Sequence, residues 1–180
     1  PAFAVERTQQ LLYLLNRAYR EGKLPNYPVY VDSPMAVSAT EIFRIHPECF
    51  NQDVYDFLFR ERDPFGFEQL HMVRTVSESQ RLNNMREKAI IISASGMCDA
   101  GRIRHHLKHN LWRGDSTILF VGYQSEGTIG RKLLDGAESV RLFGEEISVK
   151  AKIATLSGIS GHADEAGLIA WVEQFSQKPR

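Results

Sequence analysis

The 180-residue sequence lacks any apolar run long enough to span a membrane, and no signal-peptide pattern opens it. It has two cysteines, Cys49 and Cys98, whose spacing fits neither a zinc knuckle nor a CxxC redox pair. We interpret both as buried free thiols and expect a cytoplasmic protein. The formal net charge is zero, so any contact with a polyanion must come from local clusters of cations.

The composition is that of an ordinary soluble globular protein, with 43% hydrophobic and 24% charged residues. The length suits one domain with a full-sized core, or most of a larger one. The chain opens with Pro-Ala-Phe and has no initial Met, so we expect it to be a piece of a longer protein. No internal repeat is present.

The clearest strand–turn–helix pattern of the sequence lies at residues 89–107. Its unbroken apolar run at 89–92 predicts a strand covered on both faces, as in parallel sheets. The small residues 93–96 then predict a turn, and a helix with several cations follows, for which Asp99 is the expected N-cap. Such a turn between a strand and a helix start is a ready anion site, although it also suits a plain tight connection.

Two further turns follow the same pattern, at Asp32–Ser33 and at Gly122–Thr128. The alternation of strands and helices predicts an α/β domain with a mostly parallel sheet and helices on both faces. In such sheets the carboxyl ends of the strands form the ligand-binding edge. We therefore expect the three turns to meet at one edge.

The motifs in these turns leave alternatives open. None matches GxxxxGK[ST] or GxGxxG, and Gly127-Thr-Ile-Gly130 with Arg131 indicates either phosphate contact or close packing. His105, His106 and His109 are close in sequence, and His105 and His109 have metal-ligand spacing, but without an accompanying carboxylate we favour a solvated basic face for all three. His162 lies among small residues and is either a structural histidine, as a lone histidine usually is, or a functional one whose ring Ser160 and Asp164 could orient.

Three of these motifs, SASGMCDAGR, GYQSEGTIGRKLLDGA and VKAKIATLSGISGHAD, occur in the order found in one family. With PAFAVERTQQLLYLL and PVYVDSPMA at the start, the sequence resembles the β-CASP region of metallo-β-lactamase-fold nucleic-acid hydrolases. It is similar in particular to the bacterial and archaeal relatives of the cleavage and polyadenylation specificity factor endonuclease. The resemblance implies a Rossmann-like β-CASP domain over 1–155 and a segment, 156–180, that returns to a metallo-β-lactamase domain.

The resemblance also implies a function for particular residues. RNA would lie in the cleft between the two domains, and His162 would be the catalytic histidine that positions the scissile phosphate or protonates the leaving oxygen. The expected RNA-binding residues are Ser33, Ser95, Gly96, Arg102, Thr128, Arg131 and Ser160.

The family's HxHxDH zinc motif is absent from the sequence. The resemblance implies two zinc ions in the parent ribonuclease. Because the motif is absent, we expect this piece to hold none of them and to be inactive. The expected partners are RNA and the metallo-β-lactamase domain of the same parent chain. A homodimer is possible, and we expect no association with a membrane.

Two alternatives remain. One is a stand-alone Rossmann-type module that binds nucleotides or phosphate. The other is a structural or dimerising domain, for which Phe57, Phe65 and Phe67 would form an exposed apolar patch.

Overall fold

The predicted alternation of helices and strands is confirmed. The computed structural model describes residues 1–61, 63–159 and 162–177, without the side chain of residue 61. A short 3-10 helix covers Pro47–Cys49. The α-helices in these ranges are α1 (Arg7–Arg20), α2 (Pro34–Ile45), α3 (Gln52–Glu61), α4 (Val76–Asn83), α5 (Ile103–Asn110), α6 (Ile129–Leu134) and α7 (Glu165–Glu173). The strands are β1 (Val29–Asp32), β2 (Leu70–Val73), β3 (Ile90–Ser93), β4 (Thr117–Phe120), β5 (Ser139–Leu142), β6 (Glu145–Ser148) and β7 (Lys152–Thr155).

Parallel pairing dominates, as the sequence predicts. Strand β1 is central in a three-stranded sheet of order β2-β1-β3, where Asp32 pairs with Val73 on one side and Ser93 on the other. Strands β4 and β7 form a second parallel pair, and β5 and β6 form an antiparallel hairpin. The partial alternation of apolar residues over Ile147–Ile153 predicts a single strand of an edge or a hairpin. This prediction is wrong, because the chain leaves β6 at Ser148 and Lys152–Thr155 pairs with β4 instead.

Helices α2 and α4 show how side chains cap helix starts. Ser33 before Pro34 predicts the cap of α2, and this is confirmed, since the Ser33 Oγ accepts a hydrogen bond from the Ala36 backbone N–H at 3.2 Å. The sequence predicts a helix over 77–86 capped by Ser77, and this cap is wrong. Helix α4 begins earlier, where Thr75 and Glu78 form a reciprocal capping box.

Two hydrophobic clusters hold the fold together. The first lies between α1, α2 and the β1-centred sheet and contains Leu12, Val29, Val31 and Val37. The second packs α5 and α6 against β4 and the β5–β6 hairpin, and its largest buried side chain is Phe120. In the described part of the chain, no helix combines the length and the apolar character that a membrane crossing requires.

The proposed exposed patch of phenylalanines is also wrong. Phe65 is only 4% exposed and belongs to the first cluster. Phe67 stacks on Tyr19 with the ring centroids 5.3 Å apart, and Phe57 meets the ring of Tyr13 edge-on at the same distance. The loop that carries two of these rings folds back onto α1, so tertiary packing buries apolar groups that the sequence suggested were exposed.

Candidate nucleic-acid interface

The three turns follow the carboxyl ends of β1, β3 and β4, and they come together although β4 belongs to the second parallel pair rather than to the β1-centred sheet. Asp32 and Ser93, at the ends of β1 and β3, are register partners. The Nε2 group of Gln124 donates to the Gly96 carbonyl at 3.0 Å and so joins the turn after β4 to the turn after β3. We call the three turns, Asp32–Ser33, Ser93–Gly96 and Gly122–Thr128, the rim.

One residue of the rim, Asp32, has a buried carboxylate. The Asp32 side chain is fully buried, and it accepts hydrogen bonds from Arg102 Nη1 at 2.7 Å, His106 Nε2 at 2.6 Å and Ser79 Oγ at 2.6 Å. Arg102 Nη2 also donates to the Arg74 carbonyl at 2.9 Å. Burial alone would raise the pKa of Asp32, but these hydrogen bonds outweigh it and hold the pKa below its usual range.

This cluster was missed from the sequence, although its signal is visible there. Asp32 is a carboxylate at the end of a buried strand, and Arg102 and His106 lie four residues apart, on one side of a helix. The expected solvated basic face is therefore wrong at His106, whose ring is buried against Asp32. Arg102 donates to two acceptors within the chain, Asp32 and the Arg74 carbonyl. These contacts do not test whether it also binds RNA, so that role stays a prediction.

The turn after β3 is held by its own polar groups. Ser95 Oγ accepts from the Ala100 backbone N–H at 3.3 Å, and Ser95 itself is half-buried. Asp99 does not cap α5 as predicted. Helix α5 begins later, at Ile103, and Asp99 Oδ1 accepts from the Ile129 N–H at 3.0 Å at the start of α6.

Gln124 holds the turn after β4 together. Its buried Nε2 group donates to the carbonyls of Gly96, Gly122 and Tyr123 at 3.0–3.1 Å. A Cβ atom at Gly130 would lie 1.7 Å from Gln124 Oε1. The close-packing interpretation is therefore confirmed at Gly130. The side chain that leaves no room for a Cβ atom there is Gln124, which we did not identify from the sequence.

Thr128 and Arg131 both have partners within α6 or just before it. Thr128 Oγ1 accepts from the Arg131 N–H at 3.1 Å and donates to the Ser125 carbonyl at 2.7 Å. Arg131 Nε lies 2.9 and 3.0 Å from the two carboxylate oxygens of Asp135, and this hydrogen bond raises the pKa of Arg131 above its ordinary value.

The remaining predicted RNA contacts differ in accessibility. Ser33 and Gly96 are buried, so direct contact with RNA would require the rim to rearrange. Ser160 lies outside the described residues. The role of each of these residues in RNA binding stays a prediction.

His162 follows a segment that leaves the sheet at the rim. Because β7 runs parallel to β4, Thr155 lies beside Phe120, and the Leu156 N–H donates to the Phe120 carbonyl at 2.8 Å. Further on, Ile159 packs against the first hydrophobic cluster, which Ala94 of the rim also contacts. The structure shows His162 exposed.

The described residues do not provide a complete metal site. Within 1–61, 63–159 and 162–177, no three or more His, Cys, Asp or Glu side chains are grouped closely enough to hold a metal ion. His105 stacks on Phe143 with the ring centroids 4.5 Å apart. The pKa of His109 is lowered, mainly by partial burial and to a smaller extent by the nearby Lys108, His105 and His106. These residues do not fit the zinc centre implied by the resemblance, which would need ligands from elsewhere.

Family models classify the chain. Residues 8–133 match the Beta-Casp domain. The chain belongs to the β-CASP family. Residues 146–179 of this β-CASP chain match a second model, the Zn-dependent metallo-hydrolase RNA specificity domain, which is consistent with a family of RNA-processing metallo-hydrolases. The domain boundary we predict at residue 155 stays a prediction.

Curated relatives carry related names. The β-CASP chain is 37% identical over 174 residues to Ribonuclease TTHA0252 of Thermus thermophilus, covering 96% of this chain and 40% of that protein. It is 31% identical over 185 residues to the Transcription termination factor FttA of Methanosarcina mazei, covering 99% and 29%. It is 30% identical over 175 residues to the RNase J-like protein of Methanocaldococcus jannaschii, covering 97% and 39%. The chain therefore spans less than half the length of each.

Proposed function

We propose that this chain is the RNA-binding cap of a zinc-dependent, cytoplasmic ribonuclease that hydrolyses RNA phosphodiester bonds. The observation that carries the proposal is that three polar, small-residue turns, each at the carboxyl end of a parallel strand, come together in a member of the β-CASP family. The carboxyl ends of parallel strands are where α/β proteins bind their ligands. The ribonuclease relative supports RNA as the substrate.

In this proposal His162 is the catalytic residue. Its imidazole positions the scissile phosphate or protonates the leaving oxygen. The direction in which β7 leaves the sheet supports this role, because it carries the chain past the rim towards His162. Ser95, half-buried on the rim, and Arg131, 38% exposed at its side chain, are the best placed of the predicted RNA-binding residues.

Zinc would supply the activated water and stabilise charge on the phosphate. Its two ions would be bound by the metallo-β-lactamase domain of the same longer protein, which is the expected partner of this chain together with RNA. The chain by itself would then be inactive.

The decisive experiment replaces His162 in the longer protein. We expect His162→Ala to lower the rate of RNA cleavage by about 100-fold or more, the usual loss when a general acid is removed. Since His162 is exposed, we expect at most a small change in thermal unfolding, which is measured in parallel so that a loss of cleavage can be separated from a loss of folding. His109→Ala is the matched control, because His109 is also exposed but lies on α5. Cleavage by His162→Ala at the wild-type rate would refute the catalytic role.

A second experiment uses the 180-residue chain alone. We expect no RNA cleavage after zinc is added, and weak RNA binding that falls steeply with salt, because phosphate contacts release counterions. Zinc-dependent cleavage that disappears in His162→Ala would contradict the inactive fragment. Tight binding of mononucleotides would instead favour the stand-alone nucleotide-binding module.

A further inference from the structure

Tyr123 is an exposed aromatic side chain on a fixed turn. It lies just after β4 on the rim and is 71% exposed. Gln124, buried beside it, donates to the Tyr123 carbonyl at 3.0 Å and to the Gly122 carbonyl at 3.1 Å. The backbone at this position is therefore held in place while the ring projects from it.

The helix that packs against this turn carries a cation. A Cβ atom at Gly130 would lie 1.7 Å from Gln124 Oε1, so the start of α6 lies directly against the turn. Tyr123 precedes Gln124 in sequence and Arg131 follows Gly130, so the two residues belong to segments that are in contact. A flat aromatic face close to a guanidinium is the combination that binds a base and its neighbouring phosphate in single-stranded nucleic acids.

The rest of the turn disfavours a protein contact as the main role of this ring. The residues around Tyr123 are glycine, small or charged, namely Gly122, Ser125, Glu126 and Gly127. A protein-docking patch needs several apolar side chains side by side, and this turn supplies one.

We propose that Tyr123 is a stacking platform for one base of a single-stranded RNA lying along the rim, with Arg131 close to the adjoining phosphate. This inference rests on the proposed function and adds a specific base-binding subsite to it. Stacking on tyrosine tolerates any base, because every base has an aromatic face. The subsite therefore favours unpaired RNA over a duplex, whose bases are already stacked.

The test measures the Kd for a short single-stranded RNA by fluorescence anisotropy, using the longer protein in a His162→Ala background so that the RNA stays intact. We expect Tyr123→Ala to weaken binding by about tenfold and Tyr123→Phe to leave it nearly unchanged. The salt dependence should keep its slope, because no phosphate contact is removed. Trp112→Ala is the control, since Trp112 is 56% exposed and precedes β4, at the opposite edge of the sheet.

An abasic scan identifies stacking specifically. Each oligonucleotide of the set lacks the base at one position. For the oligonucleotide that lacks the stacking base, the Kd of Tyr123→Ala and the Kd of the protein with Tyr123 should be equal, because there is no base to stack on the ring. If the effect of Tyr123→Ala is the same at every abasic position, the ring contacts protein rather than a base and the inference is overturned. Wild-type binding by Tyr123→Ala would also overturn it, and the His162 role would then stand or fall separately on the cleavage assay.

Discussion

Replacing Asp32 by alanine should remove a large share of the stability of the fold. The carboxylate is fully buried and accepts from Arg102, His106 and Ser79. Breaking a buried ion pair from one side typically costs about 3–5 kcal/mol, because the remaining charge stays buried without its partner. Since a domain is stabilised by about 5–15 kcal/mol in total, Asp32→Ala should leave the chain close to unfolding.

Urea denaturation followed by circular dichroism measures this loss. Asp115→Ala is the matched control, because Asp115 also pairs with an arginine, Arg113, but its side chain is 72% exposed. We expect no resolvable change from the control. A double-mutant cycle with Arg102→Ala should show coupling between Arg102 and Asp32, since the two side chains are in direct contact. If Asp32→Ala were as stable as Asp115→Ala, the argument from burial would fail.

The same cluster predicts a dependence on pH. The pKa of Asp32 is lowered in the folded chain, so its stabilising contribution is present at neutral pH and is lost as the pH falls through the folded pKa. The wild-type and Asp32→Ala stabilities should therefore converge below about pH 4, the ordinary range for an aspartate. A difference between them that stays constant down to pH 2 would contradict the assigned ion pairs.

Two further predictions use matched pairs within the chain. Gly101→Ala should destabilise the fold more than Gly136→Ala in thermal unfolding. Both glycines have positive φ, but a Cβ at Gly101 would lie 2.4 Å from the Ala94 carbonyl oxygen, whereas Gly136 has open space. Equal losses would remove the steric argument. Burial raises the pKa of Cys98 to about 12, so its thiol should react with a disulfide reagent only after unfolding, while exposed Cys49 should react in the native state. Rapid labelling of both thiols would show that Cys98 is accessible.

The prediction that both cysteines are buried is thus confirmed for Cys98 and wrong for Cys49, which lies in the exposed 3-10 turn after α2. The difference follows from position in the fold. Cys98 lies in the turn between β3 and α5 and belongs to the second hydrophobic cluster, whereas Cys49 belongs to neither cluster and its neighbour Phe50 packs against the first one instead.

Local sequence determined the elements and the edge at which they end. Unbroken apolar runs specified the buried strands, and Ser33 before Pro34 specified a helix start. The order of strands and helices then specified parallel pairing, which places the ends of β1 and β3 together. These features depend on backbone preference and burial over a few residues, so they can be inferred from a short window of sequence.

Only the tertiary structure decided how the polar groups at that edge are paired. Asp32 finds its partners 47, 70 and 74 residues further along the chain, and Asp99 caps a helix that begins 30 residues after it. Gln124 reaches back 28 residues to Gly96. The partner of a buried charge or of a helix end is the group that the packing of whole helices and strands brings within hydrogen-bond distance. Neighbours in sequence do not determine that partner.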